Sequence, residues 1–290
     1  MKIAIFANTY RAEIVSSLDV IFQFFKQRDA ILLFDKELYG FVKEKGHLPS
    51  DKIEIIDSFD FEADLVLSIG GDGTFLNSAA HVGRKQIPIL GINSGSLGFL
   101  ADIPKEDILP ALEAIVHNQF WLEDRTLLYI ESSDGTTFEY PYVLNEIAIL
   151  KQEVSSMISV SATVNGQFVH TYRADGLVIS TPTGSTAYSL SVGGPIVMPQ
   201  AENIIIAPIA NHSLNVRPLI IPDSWSIELK VDSRTGSFLV ALDGRSQLLN
   251  LGTGLRISKA DYTIKVVKQL DHTFFDTLKN KLMWGVDKRS

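Results

Sequence analysis

The chain has 290 residues, of which 46% are hydrophobic and 21% charged, as in a soluble globular protein large enough for two domains. Its 26 basic and 34 acidic residues give a net charge of −8, which argues against non-specific nucleic-acid binding because that needs a basic surface. Cysteine is absent, which excludes disulfides, thiol nucleophiles and cysteine-ligated metals, and we expect a cytoplasmic protein.

No part of the sequence predicts a membrane segment. The opening run MKIAIFANTY is too short for a signal peptide and is typical of a first β-strand. No stretch approaches the roughly 18 consecutive apolar residues of a membrane helix. We therefore expect neither a membrane nor a nucleic acid among the partners.

The first part of the chain alternates predicted strands with predicted helices. The predicted strands are Lys2–Ala7, Ala30–Phe34, Ile53–Ile56, Leu65–Gly70 and Ile87–Gly91, and the predicted helices are 14–25, Asp35–Lys45, Thr74–His81 and Lys105–Asn118. This alternation indicates a parallel sheet covered on both faces. In such sheets, ligands bind beyond the carboxyl ends of the strands.

A glycine-rich segment, Gly70-Gly71-Asp72-Gly73, joins a buried strand to the helix that has Thr74 near its start. Glycines let a phosphate approach main-chain N–H groups, and a helix start adds free donors and a positive dipole end. Because Asp72 adds nothing to anion binding, we expect it to contact a metal, a hydroxyl or a proton. The alternative is a plain turn, since Gly-Asp-Gly is common turn chemistry.

A second glycine-rich loop, Asn93–Phe99, follows the strand predicted at Ile87–Gly91. The carboxyl ends of parallel strands meet at one edge of a sheet, so we expect the two loops to lie at the same edge.

From about Trp121 the predicted elements are mostly strands. They are Leu127–Ser132, Phe138–Leu150, Ile158–Val164, Gln167–Tyr172, Leu177–Ser180, Ile204–Ala207, Trp225–Val231, Ser237–Leu242, Gly254–Ile257 and Tyr262–Val267, with hairpin turns at Asp134-Gly135 and Asn165-Gly166. Short strands at regular spacing indicate a mainly antiparallel domain. A closing helix, 273–282, is expected to pack back on the first domain. We place the domains at 1–122 with 268–290 and at 123–267.

Thr181–Ser191 is a polar segment that follows a predicted strand. Its many hydroxyl side chains suit a ribose or a phosphate, and Tyr188 could stack on a flat ring. The alternative is a surface loop rich in serine and threonine.

Two further polar pairs are candidates for a ligand site: Asn145-Glu146, which interrupts an apolar run, and Arg173 with Asp175, which flank Ala174 where a strand begins. Asn145 and Glu146 either turn outward at a bulge or pair with a ligand, and a ribose diol would satisfy Glu146 directly. Arg173 and Asp175 form either an exposed surface pair or the edge of a ligand site.

Taken together, these motifs resemble the NAD kinase family. The matching segments follow the family's order and approximate spacing over nearly the whole chain: Gly70–Thr74, Asn145-Glu146, Arg173–Leu177, Thr181–Tyr188, Gly193–Pro195, His212–Leu214, Arg217-Pro218 and Lys281–Gly285. The GGDG segment alone is shared with lipid kinases and has relatives among phosphofructokinases, whereas Thr181–Tyr188 is more specific. The GxxxxGK[ST], GxSxG and HExxH motifs of other enzyme classes are absent.

The resemblance implies a Rossmann-like, phosphofructokinase-like α/β domain followed by an all-β domain that carries much of the NAD site. It implies transfer of the γ-phosphate of ATP to the 2′-hydroxyl of the adenosine ribose of NAD, giving NADP. A divalent metal, Mg²⁺, would come with ATP, and no protein ligand is assigned to it. Asp72 would be the catalytic proton acceptor. The residues carried over as nucleotide-binding are Asp72, Gly73, Asn145, Glu146, Arg173, Asp175, Thr186, Ala187, Tyr188, Ser189, Leu190, Ser191, Ala210 and Arg245.

Two other functions stay open at this point, a lipid kinase with the same GGDG segment and a non-catalytic dinucleotide sensor. A lipid kinase needs an apolar lipid-holding surface, and a sensor would lack the acid that Asp72 supplies. The resemblance also implies a homo-oligomer, a tetramer, in which residues near Arg173 to Tyr188 border a neighbour's site. Apolar strands such as Ile204–Ile206 and Leu219–Ile221 place the contact in the β domain.

Overall fold

The computed structural model describes residues 1–10, 13–49, 52–95, 98–153, 157–213 and 215–285. Its strands are β1 (Lys2–Ala7), β2 (Ile31–Asp35), β3 (Ile53–Ile56), β4 (Leu65–Gly70), β5 (Ile89–Asn93), β6 (Phe120–Ser132), β7 (Tyr142–Val143), β8 (Glu146–Leu150), β9 (Ile158–Val164), β10 (Gln167–Ala174), β11 (Gly176–Ser180), β12 (Asn203–Ile209), β13 (Leu219–Pro222), β14 (Ile227–Ser233), β15 (Ser237–Leu242), β16 (Arg245–Asn250) and β17 (Leu255–Gln269). The helices are α1 (Ile14–Lys26), α2 (Lys36–Glu44), α3 (Asp72–Val82), α4 (Ile108–Val116), α5 (Tyr188–Ser191) and α6 (Phe274–Leu282).

The chain divides into two units, Met1–Asp124 with Ile264–Ser290, and Arg125–Thr263. The first unit is built on parallel strands in the order β5-β4-β1-β2-β3, with the end of β17 beside β5. All six residues of β4 are buried, as expected for a strand covered on both faces. The predicted α/β fold with a parallel sheet is confirmed.

The helices of the first unit bury the faces that their sequence spacing predicts. In α1, Ile14, Leu18 and Ile21 join the core cluster that the sheet strands supply. The closing helix α6 starts at a capping box, in which Thr273 and Asp276 satisfy each other's backbone N–H groups. The ring of Phe274 lies 6.2 Å from that of Phe99, so α6 contacts the first unit as predicted.

The second unit is all-β, as predicted. One sheet has the antiparallel order β13-β12-β11-β8-β15-β16, and other strands of the unit run in the order β10-β9-β14-β17. Residues alternate between buried and more exposed along β9 and β14, so one face of each strand enters the core. A single apolar cluster joins Ile147 and Ile179 of the first sheet to Val160 and Leu229 of the second group.

Several predicted strands differ from the structure, among them Leu127–Ser132, which is the end of the longer strand β6 (Phe120–Ser132). Gly254–Ile257 and Tyr262–Val267 are parts of one strand, β17, because the polar residues between them face outward rather than forming a turn, as the exposed Lys259 does. The strand Arg245–Asn250 was not predicted, since it is mostly exposed and lacks an apolar run. Among the described residues, no helix has the length and hydropathy needed to cross a membrane.

Candidate functional site

The GGDG segment follows β4 and forms the start of α3. The helix begins at Asp72, two residues before the predicted start, because the N–H groups of Thr74 and Phe75 both bond to the carbonyl of Gly71. A side chain at Gly70 would displace Thr74, since a Cβ there would lie 2.2 Å from Thr74 Oγ1. The first helical amides, those of Asp72 and Gly73, have no acceptor within the helix and are available to an anion.

The Asp72 carboxylate holds the backbone of a distant loop. It accepts the N–H of Phe99 at 3.0 Å on Oδ2, and those of Leu100 at 3.0 Å and Ala101 at 3.1 Å on Oδ1. A Cβ at Gly98 would lie 2.0 Å from Oδ1, so only glycine lets the loop come this close. A carboxylate has about four lone-pair positions, which leaves one on Oδ2 for a hydroxyl proton.

The second glycine-rich loop lies at the same edge as the first, as predicted. The N–H of Ser94 bonds to the carbonyl of Gly70 at 3.0 Å, and Asn93 Oδ1 accepts the N–H of Gly95 at 2.6 Å. A cavity of about 590 Å³ opens beside these residues, with walls also from 102–107 and 269–280. Ser96 and Leu97, part of the predicted loop, lie outside the described residues.

In the second unit, the backbone of Asn145 is tied to the polar segment that starts at Thr181. The N–H of Thr181 bonds to the carbonyl of Asn145 at 2.9 Å, and its hydroxyl donates to the carbonyl of Leu144 at 2.6 Å. A Cβ at Gly184 would lie 2.2 Å from the Asn145 carbonyl oxygen. The predicted strand 138–150 is accordingly divided here into β7 and β8, with Asn145 and Glu146 at the division.

Glu146 is a largely buried acid at the start of β8. Burial raises its pKa to about 8, the negative charge of Asp243 adds to the rise, and a hydrogen bond from the backbone N–H of Tyr188 opposes it. Its Oε2 is buried and, among the described residues, has no hydrogen-bond partner. Because an unpaired buried carboxylate oxygen is costly, this atom is suited to accept a hydrogen bond from a ligand.

Asp243 is a residue of this region that the sequence did not single out. Its carboxylate accepts the N–H of Leu144 at 2.7 Å, of Asn145 at 2.9 Å and of Glu146 at 3.0 Å. The only sequence signal is the Asp-Gly pair, which predicts a hairpin turn but not the long-range contact.

The remaining predicted residues of the polar segment lie in a short turn and in α5. Tyr188 is half-buried and packs on the cluster of Ala148 and Val178, so part of its ring is covered by the sheet. The residues around it range from buried to exposed: Thr186, Ala187, Ser189, Leu190 and Ser191. Ser189 Oγ is another buried atom without a partner in the described part of the chain.

Arg245 lies at the Glu146 end of the sheet. Its guanidinium donates to the carbonyls of Leu242, Tyr140 and Tyr142, at 3.0, 3.2 and 2.8 Å. Among the described residues these are its hydrogen-bond partners, so two of its five N–H groups are left for a ligand.

Asp175 and Ala210 lie at the other end of the same sheet, and Arg173, near the end of β10, precedes Asp175 by two residues. In the pairing of β11 with β8, Ser180 faces Glu146, whereas Gly176, next to Asp175, faces Leu150. Asp175 receives the ammonium of Lys151 at 2.7 Å, Arg173 is exposed, and Ala210 is exposed with a left-handed φ of 45°. Four strand steps of about 3.4 Å separate the two ends. A single chain therefore does not bring these three residues together with Asn145 and Glu146.

Comparison with protein families gives two adjacent matches. The ATP-NAD kinase N-terminal domain matches residues 3–120, and the ATP-NAD kinase C-terminal domain matches residues 144–269. Among curated proteins, a NAD kinase of Bacteroides fragilis is 50% identical over 289 residues, covering 100% of both chains. A NAD kinase of Porphyromonas gingivalis is 40% identical over 288 residues, covering 99% of each.

Two solved structures share the fold. Yeast NADH kinase complexed with NADH superposes with a TM-score of 0.90 at 21% identity, covering 99% of this chain and 88% of that one. A NAD kinase from Archaeoglobus fulgidus in complex with ATP gives a TM-score of 0.75 at 25% identity, covering 98% of this chain and 99% of that one.

Proposed function

The chain belongs to the NAD kinase family and is an NAD kinase; on that premise we propose that Asp72 is its proton acceptor and that Glu146 holds the ribose of NAD. The reaction is transfer of the γ-phosphate of ATP to the 2′-hydroxyl of the adenosine ribose, giving NADP. The observation that supports this reaction most strongly is the 50% identity to an NAD kinase over the full length of both chains.

The proposed role of Asp72 follows from the one acceptor position left on its Oδ2. The three loop amides fix the carboxylate, so it can orient a substrate hydroxyl without first being ordered itself. Phosphoryl transfer has a loose transition state, in which positioning and charge neutralisation matter more than a strong base. Asp72 would accept the proton as the oxygen–phosphorus bond forms, and the amides at the start of α3 favour phosphate.

The proposed role of Glu146 follows from its buried and unpaired Oε2. A ribose hydroxyl is a donor, and it would supply the hydrogen bond that this oxygen lacks. Asn145, the 186–191 segment and Arg245 border the same end of the sheet, and we propose that they bind the nucleotide there, with Gly73 at the start of α3.

A divalent metal is part of this proposal. Mg²⁺ bound to the phosphates of ATP would neutralise their charge during transfer. It commonly keeps phosphate and water oxygens as most of its ligands, so it does not need a cage of protein side chains. Within the described ranges, no group of three or more His, Cys, Asp or Glu side chains could hold a metal ion.

We also propose that the protein is a homo-oligomer, a tetramer, located in the cytoplasm. The separation of Arg173, Asp175 and Ala210 from Glu146 supports the oligomer, because these residues could serve the nucleotide of a second copy. The exposed apolar side chains of Leu219 and Ile220 on β13 support a contact through the β unit.

The test is the conversion of NAD and ATP to NADP by purified protein and by the variant Asp72→Asn. Asparagine keeps the size and one acceptor oxygen but cannot take the proton, so turnover should fall by about 10²–10⁴-fold while NAD affinity changes little. Asp64→Asn is the matched control, because Asp64 at the other end of β4 also accepts a backbone N–H, that of Lys2.

Wild-type turnover in Asp72→Asn would remove Asp72 from the chemistry. ATP hydrolysis or transfer that responds to diacylglycerol or sphingosine but not to NAD would overturn the NAD kinase reaction itself.

A further inference from the structure

Asp243 lies in the two-residue turn between β15 and β16. Both turn residues have positive φ, 48° at Asp243 and 84° at Gly244, and Leu242 pairs with Arg245 across the turn. This is the geometry of a type I′ hairpin, for which Asp-Gly and Asn-Gly are both favoured. The turn therefore needs no carboxylate at position 243, and asparagine would form it equally well.

Backbone N–H groups nevertheless occupy most of the hydrogen-bond acceptor positions of the Asp243 carboxylate. Oδ1 accepts the N–H groups of Asn145 and Glu146, and Oδ2 accepts that of Leu144. The N–H of Asp243 in turn bonds to the carbonyl of Glu146 at 3.1 Å. Three consecutive N–H groups that converge on one anion fix the direction of the peptide units between them. The direction of the Glu146 side chain is thus set from the turn.

We propose that Asp243 is a positioning residue for nucleotide binding: its carboxylate holds the backbone of Leu144–Glu146 so that the Glu146 carboxyl faces the ribose. The inference rests on the proposed binding role of Glu146. It concerns a residue that does not touch the substrate and acts through the backbone of one that does.

The charge of Asp243 also acts on Glu146. Burial raises the pKa of both carboxyl groups, and the three N–H donors and Arg245 oppose the rise at Asp243. The charge that acts on the pKa of Glu146 is that of Asp243. Arg245 in turn acts on Asp243, and the phenol of Tyr140, which stays neutral because burial raises its pKa, lies near both of these residues. Removing the Asp243 charge leaves the burial of Glu146 unchanged but takes away the repulsion, so Glu146 should ionise at lower pH.

The experiment compares NAD binding by wild type and Asp243→Asn, using calorimetry between about pH 6 and pH 9, together with hydrogen exchange of the free proteins. In wild type, NAD affinity should rise as pH passes about 8, because ionised Glu146 is the better acceptor for ribose hydroxyls. In Asp243→Asn, NAD should bind about 10- to 100-fold more weakly, and the midpoint of the pH dependence should move to lower pH. The amides of 144–146 should exchange faster.

Asp134→Asn is the matched control. Asp134 also precedes a glycine in a turn, and its carboxylate accepts the N–H of Thr136, but it does not bond to 144–146. This variant should keep the affinity and the pH midpoint of wild type. If Asp243→Asn fails to fold, Asp243→Gly serves instead, because glycine adopts positive φ freely and removes the carboxylate.

Unchanged NAD affinity in a folded Asp243 variant would overturn the proposal. Weaker NAD binding with an unchanged midpoint of its pH dependence would overturn the proposal as well. That result would show that Asp243 stabilises the fold in general and does not act on Glu146. Failure of the proposed function is recognised separately, by a wild-type protein that makes no NADP from NAD and ATP. The exchange of the three amides is measured without nucleotide, so it tests the contact with Asp243 in either case.

Discussion

Glu146 lies in surroundings that oppose its ionisation. Its pKa is raised from the ordinary 4.5 to about 8, first by burial and then by the charge of Asp243. Between these two values the folded protein binds more protons than the unfolded chain. Stability of the free protein should therefore decrease as pH rises from about 4.5 to about 8, and stay reduced above that range.

The variant Glu146→Gln separates this stability effect from binding. Glutamine keeps the shape without the charge, so the free variant should melt above wild type at about pH 9, with the difference shrinking toward about pH 5. Above about pH 8, where Glu146 is ionised, the NAD affinity of the variant should be about 10- to 150-fold below that of wild type, as expected for a lost hydrogen bond to a charged group. Thermal unfolding and calorimetry measure the two effects.

Glu228→Gln, on the exposed face of β14, is the control for the change in net charge. It should show neither the pH-dependent gain in stability nor the loss in binding. A Glu146→Gln variant with wild-type NAD affinity would remove Glu146 from the binding site.

Asp72 and Glu146 could be found from the sequence because each is a polar residue in a strongly apolar or glycine-rich context. The groups that hold these two residues in place through hydrogen bonds could not be predicted from the sequence. Asp72 bonds to amides 27–29 residues away, and Asp243 to amides 97–99 residues away. Backbone N–H groups are the same at every residue, so no side-chain pattern marks the ones that a carboxylate will bind.

The last strand, β17, is joined to the loop between β5 and α4 by a buried ion pair. Lys268 on β17 donates to Asp102, which directly follows the amides held by Asp72, and both side chains are at most 10% exposed. Removing one member of a buried pair leaves the other charge uncompensated.

Lys268→Met should therefore destabilise the protein by about 3–5 kcal/mol, measured by denaturant unfolding. Lys265→Met is the matched control on the same strand, because Lys265 pairs at 3.4 Å with the exposed Asp124 and should cost at most about 1 kcal/mol. Equal effects of the two substitutions would show that the Lys268 pair adds nothing beyond a surface contact.

The predicted elements were most accurate where apolar periodicity was strong. Strands β1 and β15 have the predicted bounds, and α1 buries the predicted face. Strand β5 begins two residues later than predicted, at Ile89, because the apolar run starts before the hydrogen-bonded ladder does. The edge strand β16 was not predicted from the sequence, because its exposed positions give no pattern of hydrophobic residues.

The proposed oligomer predicts that two inactive variants can complement each other. Glu146→Ala and Asp175→Ala should each lose activity, but a mixture allowed to exchange subunits should recover part of it, because some sites would combine an intact Glu146 with an intact Asp175. Activity should be measured against light scattering of each sample.

A mixture of Glu146→Ala with Asn145→Ala should recover nothing, since both residues lie at the same end of the sheet. Equally, a fully active monomer at working concentration would contradict the oligomer and the shared site together. Activity per chain that falls on dilution, and is protected by NAD, is the expected behaviour.

The path of β17 has a consequence for biosynthesis. The first unit lacks its final strand until Val266 can pair with Ile89, and the whole second unit is translated between those two residues. On the ribosome, the second unit can therefore finish folding before the first. Until the carboxyl-terminal segment emerges, the nascent chain exposes the unpaired edge of β5, which is the stage at which a chaperone would be needed most.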